Sequence, residues 1–508
     1  MYIVIDPRTM GYRRRVNERA ADMRVLFVSS ECYPLAKTGG LADVAGALPV
    51  ALSPLGVDAR VLMPAYPGVR EQLTGTRKEA ALPGLFGGDA TLVTGSTDGG
   101  LQILLLDAPH LFSRPTGGLY LGPDGADWPD NHLRFGALCW VGAAIGMGRV
   151  GSWAPDLVHL HDWQAGLTAA YFRYDRESAR APGTLLTIHN LAFQGLFPPS
   201  ARTALQLPPQ ALDVDGMEYW GQLSFLKAGV QWSDRLSTVS PTYAREILTA
   251  NEGMGFDGLL RLRAHELTGI VNGIDDTVWD PSTDPHVGTP YTSRKLASKA
   301  ANKVALQREL GLDVRADTPL FSVVSRLTTQ KGLDLLLAAL PRLVATGAQL
   351  VVLGTGDPTL EVGFVAASVE YPGQVTTVIG FDEALSHRIQ AGADAVLMPS
   401  RFEPCGLTQL YGLRYGTVPV VGRVGGLADT VIDANEAALR DGVATGVQFS
   451  PVEADPLAVA IERTVDLFRD RAAWQRTQRR AMSRDVGWGV AAAQYLSLYQ
   501  EIVDHRTR

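Results

Sequence analysis

A chain of 508 residues with 46 basic and 53 acidic side chains is too long for one hydrophobic core and comfortable for two domains of ordinary size. Its net charge of -7 gives no general attraction to nucleic acid or an anionic membrane, so an anionic ligand has to be caught by a local site. Cys32, Cys139 and Cys405 cannot pair completely and lack metal-ligand spacing, which fits a reducing cytoplasm; the longest apolar stretch, 135–147, is well short of the roughly 20 residues of a membrane span.

Residues 1–22 carry Arg13-Arg14-Arg15 with no apolar segment after them, so they read as a loose extension and not as a secretory signal. Met23 opens the first clear strand. The apolar run Val25 to Val28 leads to Lys37-Thr38-Gly39-Gly40-Leu41-Ala42-Asp43, with a helix expected from about Leu41. Paired glycines let the backbone approach a ligand, the first helical turn offers free N–H groups, and Lys37 adds a mobile positive charge. Phosphate is one guest for such a turn; a tight strand-to-helix connection with a surface lysine is the other reading. The motif lacks the third glycine of the dinucleotide fingerprint and the lysine order of the P-loop. Pro49 inside the first helix predicts a kink or an early end.

From Met23 to about Asp156, apolar runs alternate with helical patterns or glycine-rich loops, which predicts a parallel sheet covered on both faces. The segment from Arg114 to Asn131, around Tyr120 and Trp128, reads as a long loop. Two later strands end in histidine beside a polar partner: 156–160 before His161-Asp162-Trp163, and 185–188 before His189-Asn190. Strand ends are where open α/β sheets bind ligands, so each histidine is either a structural hydrogen bonder or a catalytic group. Trp163 is either a stacking face for a sugar or core packing.

The prolines 281, 285 and 290 mark a crossing between domains, after which a second α/β series opens with 320–324. Arg326 and Lys331 flank the turn that follows and could reach one diphosphate. Further strands end at Gly354, at Gly380-Phe381, and before Glu403-Pro404-Cys405-Gly406-Leu407-Thr408, where a carboxylate suits sugar hydroxyls or a developing positive charge, with structural capping the alternative. Gly425-Gly426-Leu427-Ala428-Asp429 repeats five letters of the first motif. A final helical pattern spans about 485–503 and is expected to pack on the first domain.

These motifs, in this order from Met23 onward, resemble bacterial glycogen synthase and plant starch synthase. The resemblance implies an α/β protein of two Rossmann-like domains facing across a deep cleft, the glycosyltransferase B-type fold. It implies an acceptor-side domain at 23–267 with the stretch 485–508 packed back on it, and a donor-side domain at 268–484. The implied reaction moves glucose from ADP-glucose to the non-reducing 4-hydroxyl of an α-1,4-glucan with retention, releasing ADP, without cofactor or metal, nucleic acid or membrane, in the cytoplasm. By the family pattern His189, Arg326, Lys331 and Glu403 are catalytic. Lys37, Gly39, Gly40, Asp43, Asn272, Gly354, Phe381, Cys405, Gly406, Leu407 and Thr408 hold ADP-glucose, while Tyr120, Asp162 and Trp163 face the glucan. Phe381 departs from the tyrosine common in the family, keeping ring stacking and losing a hydroxyl. Competing readings are a transferase of another nucleotide sugar and a non-catalytic glucan-binding scaffold.

Overall fold

The computed structural model describes residues 23–506; the expected extension 1–22 and the last two positions lie outside them. The chain forms two compact units. The first runs to Val239 and takes in Ala244–Ile270 and the stretch from Trp488, while the second comprises Ser240–Tyr243 and Val271–Gly487.

The first unit is built on a nine-stranded sheet. In chain order its elements are β1 (Met23–Val28), α1 (Gly40–Leu52), β2 (Val57–Pro64), β3 (Thr74–Leu85), β4 (Gly88–Ser96), β5 (Gln102–Asp107), α2 (Asn131–Gly146), β6 (Leu157–His161), α3 (Asp162–Arg173) and β7 (Gly183–Ile188). They are followed by β8 (Leu196–Phe197), β9 (Glu218–Tyr219), β10 (Gln222–Ser224), α4 (Phe225–Trp232), β11 (Arg235–Thr238) and β12 (Leu267–Gly269). The sheet order is β12-β11-β7-β6-β1-β2-β5-β4-β3, and β8-β10-β9 form a small sheet of their own. The expectation of a parallel sheet needs correction at one edge, because β3 and β4 run antiparallel to their neighbours. β3 is mostly exposed and contains Gly75, Pro83, Gly84 and charged residues, so it has none of the apolar signature of a strand buried on both faces.

Pro49 does not end α1: it lies in the last turn, where its missing N–H forfeits a single intrahelical bond, and the helix runs on to Leu52. The C-terminal helix spans Gly489–Arg506 and begins later than the expected 485, since Ile274 N–H donates to Val486 O and Gly487 N–H to the Asp485 carboxylate, holding that stretch out of helix. Tyr499 on this helix meets the buried His159 ring nitrogen Nδ1 at 2.8 Å, and the Arg506 guanidinium grips both Asp234 oxygens.

The second unit holds β13 (Leu320–Val324), α5 (Leu333–Ala345), β14 (Gln349–Gly354), α6 (Pro358–Glu370), β15 (Val375–Ile379), β16 (Ala395–Met398), α7 (Thr408–Tyr415), β17 (Val418–Gly422), α8 (Gly425–Thr430) and β18 (Val447–Phe449). The sheet order is β15-β14-β13-β16-β17-β18, with every pairing parallel. Numbered within the unit, this is the doubly wound order 3-2-1-4-5-6, whose direction of winding reverses between β13 and β16. Phe321, Val323, Leu350, Val352 and Leu397 fill one face of the sheet against α5 and the helix Ala454–Arg469.

Candidate active site

Ligands of doubly wound sheets bind beyond the carboxyl ends of the strands at the reversal point, and in the second unit that is where β13 and β16 deliver their loops. Arg326 follows β13 directly. Its side chain is exposed and has no ion-pair partner among the described residues. Lys331 lies in the turn before α5, and its Nζ reaches Glu403 Oε2 at 2.6 Å. The turn depends on Gly332, whose φ is +67° and whose missing Cβ would stand 1.9 Å from Pro399 O. Ser400 Oγ donates to the same Glu403 oxygen at 2.9 Å. The carboxylate is thus buried, paired with a cation and supplied with a second donor, as a buried charge requires.

The segment after Glu403 is clamped from behind by the second glycine pair. Gly426 N–H donates to Glu403 O at 3.0 Å, and a Cβ on Gly426 would lie 2.2 Å from Cys405 O. Gln409 Nε2 donates to the carbonyls of Cys405 and Gly406 at 2.9 Å each. The half-buried Leu407 and Thr408 open α7, whose first turn has no side-chain cap. Cys405 is buried against the Asn272 backbone, and burial pushes its thiol up to about 12. Asn272 is itself buried, and its Oδ1 has no hydrogen-bond partner among the described residues. Gly354 closes β14 with its backbone backed against Ser325. Phe381, at the end of β15, is 84% exposed, so its ring face is open to stacking.

In the first unit the strand order reverses between β1 and β6. Glu31, three residues past β1, is the hub there and carries no sequence signal of its own. Its carboxylate accepts from Thr38 N–H and Thr38 Oγ1, each at 2.5 Å, from Gly39 N–H at 3.2 Å, and from Tyr120 O–H. The glycine turn expected to hold a phosphate therefore gives two of its amides to an internal carboxylate. Gly39 and Gly40 form the start of α1. Lys37 is likewise not a loose cation: Nζ pairs with Asp43 Oδ1 at 2.8 Å and sits 5.1 Å from the Tyr33 ring centre.

The long loop around Tyr120 is ordered from below. The buried Arg134 donates to Leu111 O, Leu119 O and Asn131 Oδ1, and Asn131 donates to Tyr120 O. Asp162 opens α3 at φ +57° and accepts the His189 N–H at 2.7 Å, so the two strand ends expected to carry chemistry are joined. Burial pushes the Asp162 carboxyl up to about 7. His161 Nδ1 and His189 Nε2 stand 2.9 Å apart, and burial lowers His189 to about 3 and His161 well below its ordinary value, so both rings are neutral.

Trp163 does not offer the open stacking face that was one of its two expected roles. It is buried, with Phe135 edge-on at 5.1 Å, Tyr120 and Phe197 tilted against it, and Gly195 backbone so close that a Cβ would stand 2.4 Å from its ring. Packing is the role it fills. Asp162 Oδ1 and the Tyr120 hydroxyl are likewise engaged in holding the loops together.

The family models for the starch synthase catalytic domain and for glycosyl transferases group 1 match residues 24–262 and 311–481. Glycogen synthase from Rhodopseudomonas palustris strain HaA2 is 55% identical over 95% of this chain and 99% of its own length, and that from Roseobacter denitrificans is 54% identical over 95% and 100%. The chain belongs to the glycogen synthase family. Among solved structures, the catalytic domain of starch synthase IV from Arabidopsis thaliana, bound to ADP and acarbose, superposes with a TM-score of 0.86 at 29% identity, covering 95% of this chain and all of that one. Sucrose-phosphate synthase from Thermosynechococcus elongatus shares the fold, with a TM-score of 0.59 at 18% identity. The glycogen synthase family fold is of the glycosyltransferase B type, with two Rossmann-like units. No helix among the described residues is long and apolar enough to cross a membrane.

Proposed function

We propose that this chain transfers glucose from ADP-glucose to the non-reducing 4-hydroxyl of an α-1,4-glucan with retention of configuration, releasing ADP. The observation that carries this reading is the Lys331–Glu403–Ser400 cluster at the reversal point of the second unit's sheet, where Arg326, without an ion-pair partner among the described residues, also follows β13. The relatives act as glycogen synthases, and the Arabidopsis enzyme holds ADP and acarbose.

The hardest task in this reaction is to stabilise charge growing on the departing phosphate oxygen. Arg326 and Lys331 serve it as fixed cations, and the uncapped first turn of α7 adds N–H groups near Leu407 and Thr408. Cys405, Gly406, Asn272 and Gly354 shape the donor pocket, with the exposed Phe381 ring stacking on the base. Lys331 and Ser400 hold Glu403 Oε2, and Oε1 has no hydrogen-bond partner among the described residues. A carboxylate paired in this way is a poor nucleophile, which favours same-face attack through an oxocarbenium-like state over a covalent glucosyl-enzyme. His189 is the first unit's catalytic residue, and Asp162, Tyr120 and Trp163 set the acceptor side by positioning its loops.

The test is incubation with ADP-[14C]glucose and glycogen, followed by digestion from the non-reducing ends with β-amylase. Labelled maltose is the expected product. Label that stays in the limit dextrin, or never enters polymer, would overturn the linkage or the reaction.

A further inference from the structure

Between β9 and β10 the chain turns through two residues, Trp220 and Gly221, with φ of +51° and +80°. A hairpin turn with both central residues in the left-handed region is the type I′ turn, whose first position strongly prefers Asn, Asp or Gly. A tryptophan there is a steric outlier. It is also 82% exposed, so neither turn geometry nor core packing accounts for it. The ring's surroundings are firm: Tyr219 stands edge-on to it, stacks on Phe256 at 4.7 Å, and donates its hydroxyl to Met254 O at 2.7 Å. A cavity of about 290 Å³ opens beside the ring, lined also by Glu218, Lys227 and Gly255.

The charges around this cavity are already committed. Lys227 Nζ donates to Val214 O and Glu218 O, and a Glu218 carboxylate oxygen accepts the Gly221 N–H at 2.7 Å. Glu218 and Lys227 put one charge of each sign on the lining, so neither an anion nor a cation meets a net opposite charge from them. The occupant that fits is neutral, with one apolar face for the indole and hydroxyls around its rim. A pyranose ring has that form.

We infer that Trp220, with Tyr219 and the cavity beside them, is a second binding site for an α-1,4-glucan, separate from the residues assigned to transfer. The inference rests on the glucan being the acceptor of this chain. A polymer gripped at a second point presents its chain ends at a raised local concentration, so the site strengthens use of glycogen without touching the chemistry.

The test is affinity electrophoresis of the full chain in native gels with and without glycogen, in the absence of any sugar nucleotide. Trp220→Asn supplies the residue the turn prefers and removes the ring; Trp220→Tyr keeps a ring. Glycogen should retard the parent and Trp220→Tyr. It should bind Trp220→Asn roughly three- to tenfold more weakly, as loss of one stacked ring implies. The KM for glycogen should rise with it, while kcat and the KM for maltotriose hold. A parent retarded by glycogen and a Trp220→Asn variant retarded equally would overturn the site alone. A parent that glycogen does not retard overturns the site together with the glucan reading beneath it.

Discussion

Lys331 Nζ and Glu403 Oε2 lie 2.6 Å apart, 72 residues distant in sequence and brought together by the parallel pairing of β13 with β16. The two side chains are 17% and 7% exposed, so solvent screens the pair only weakly. In the proposed reaction this contact would link a cation that faces the diphosphate to a carboxylate that faces the sugar.

Lys331→Gln keeps length and polarity and removes the charge. Glucose transfer should fall about 100- to 1000-fold, mostly in kcat, as loss of one fixed donor from a water-poor site does. It should also lower stability, because Glu403 is left buried with Ser400 alone. The double variant Lys331→Gln/Glu403→Gln should recover part of that stability and none of the activity. Urea unfolding and initial rates on the three proteins check this; additive stability losses would contradict the pairing.

Arg326 provides the contrast. With no ion-pair partner among the described residues to abandon, Arg326→Gln should change stability by no more than about 0.5 kcal/mol while reducing transfer by a similar 100-fold or more. Thermal melts beside initial rates separate the two effects, and a normal rate would remove Arg326 from the reaction.

Glu31→Gln tests the hub of the first unit. An amide can accept through one oxygen only, so the donors Thr38 N–H, Thr38 Oγ1, Gly39 N–H and Tyr120 O–H cannot all be satisfied. The expected loss is about 2 to 3 kcal/mol, with faster hydrogen exchange at Thr38 and Gly39. Unchanged exchange at those amides would show that the turn holds itself.

Asp162 makes a pH prediction. Burial raises its folded pKa to about 7, from an ordinary value near 4. Between those values the folded chain holds a proton that the unfolded chain has released, so this group's contribution to stability falls as pH rises through the window. Asp162→Asn still accepts the His189 N–H and does not titrate. Its stability relative to the parent should rise from pH 4 to pH 7 by up to about 4 kcal/mol. The opposing titration of His189 is common to both proteins and drops out of the difference. A pH-independent difference would contradict a protonated Asp162.

The second unit was the more legible. Strands 320–324 and 395–398 stand where the apolar runs put them, because strands covered on both faces carry a nearly unbroken signal, and the half-buried edge strand 375–379 is also where it was expected. β3 and β4 lacked that signal. The motifs marked the loops at the strand ends, but not who pairs with whom inside them. Nothing near Glu31 announces a partner 89 residues away in Tyr120, and nothing near Glu403 announces Lys331. Trp163 shows the limit from the other side, since an aromatic beside polar residues has the same local pattern in a core as on a binding face. What decides is the company of Phe135, Phe197 and Gly195, all set by tertiary structure.

The central claim is tested most directly by measuring nucleoside diphosphate release from ADP-glucose and from UDP-glucose, each with and without glycogen. The account predicts ADP release that depends on glycogen and matches glucose incorporated one for one, well above UDP release at equal donor concentration. Faster release from UDP-glucose, or release from ADP-glucose that ignores glycogen, would contradict it.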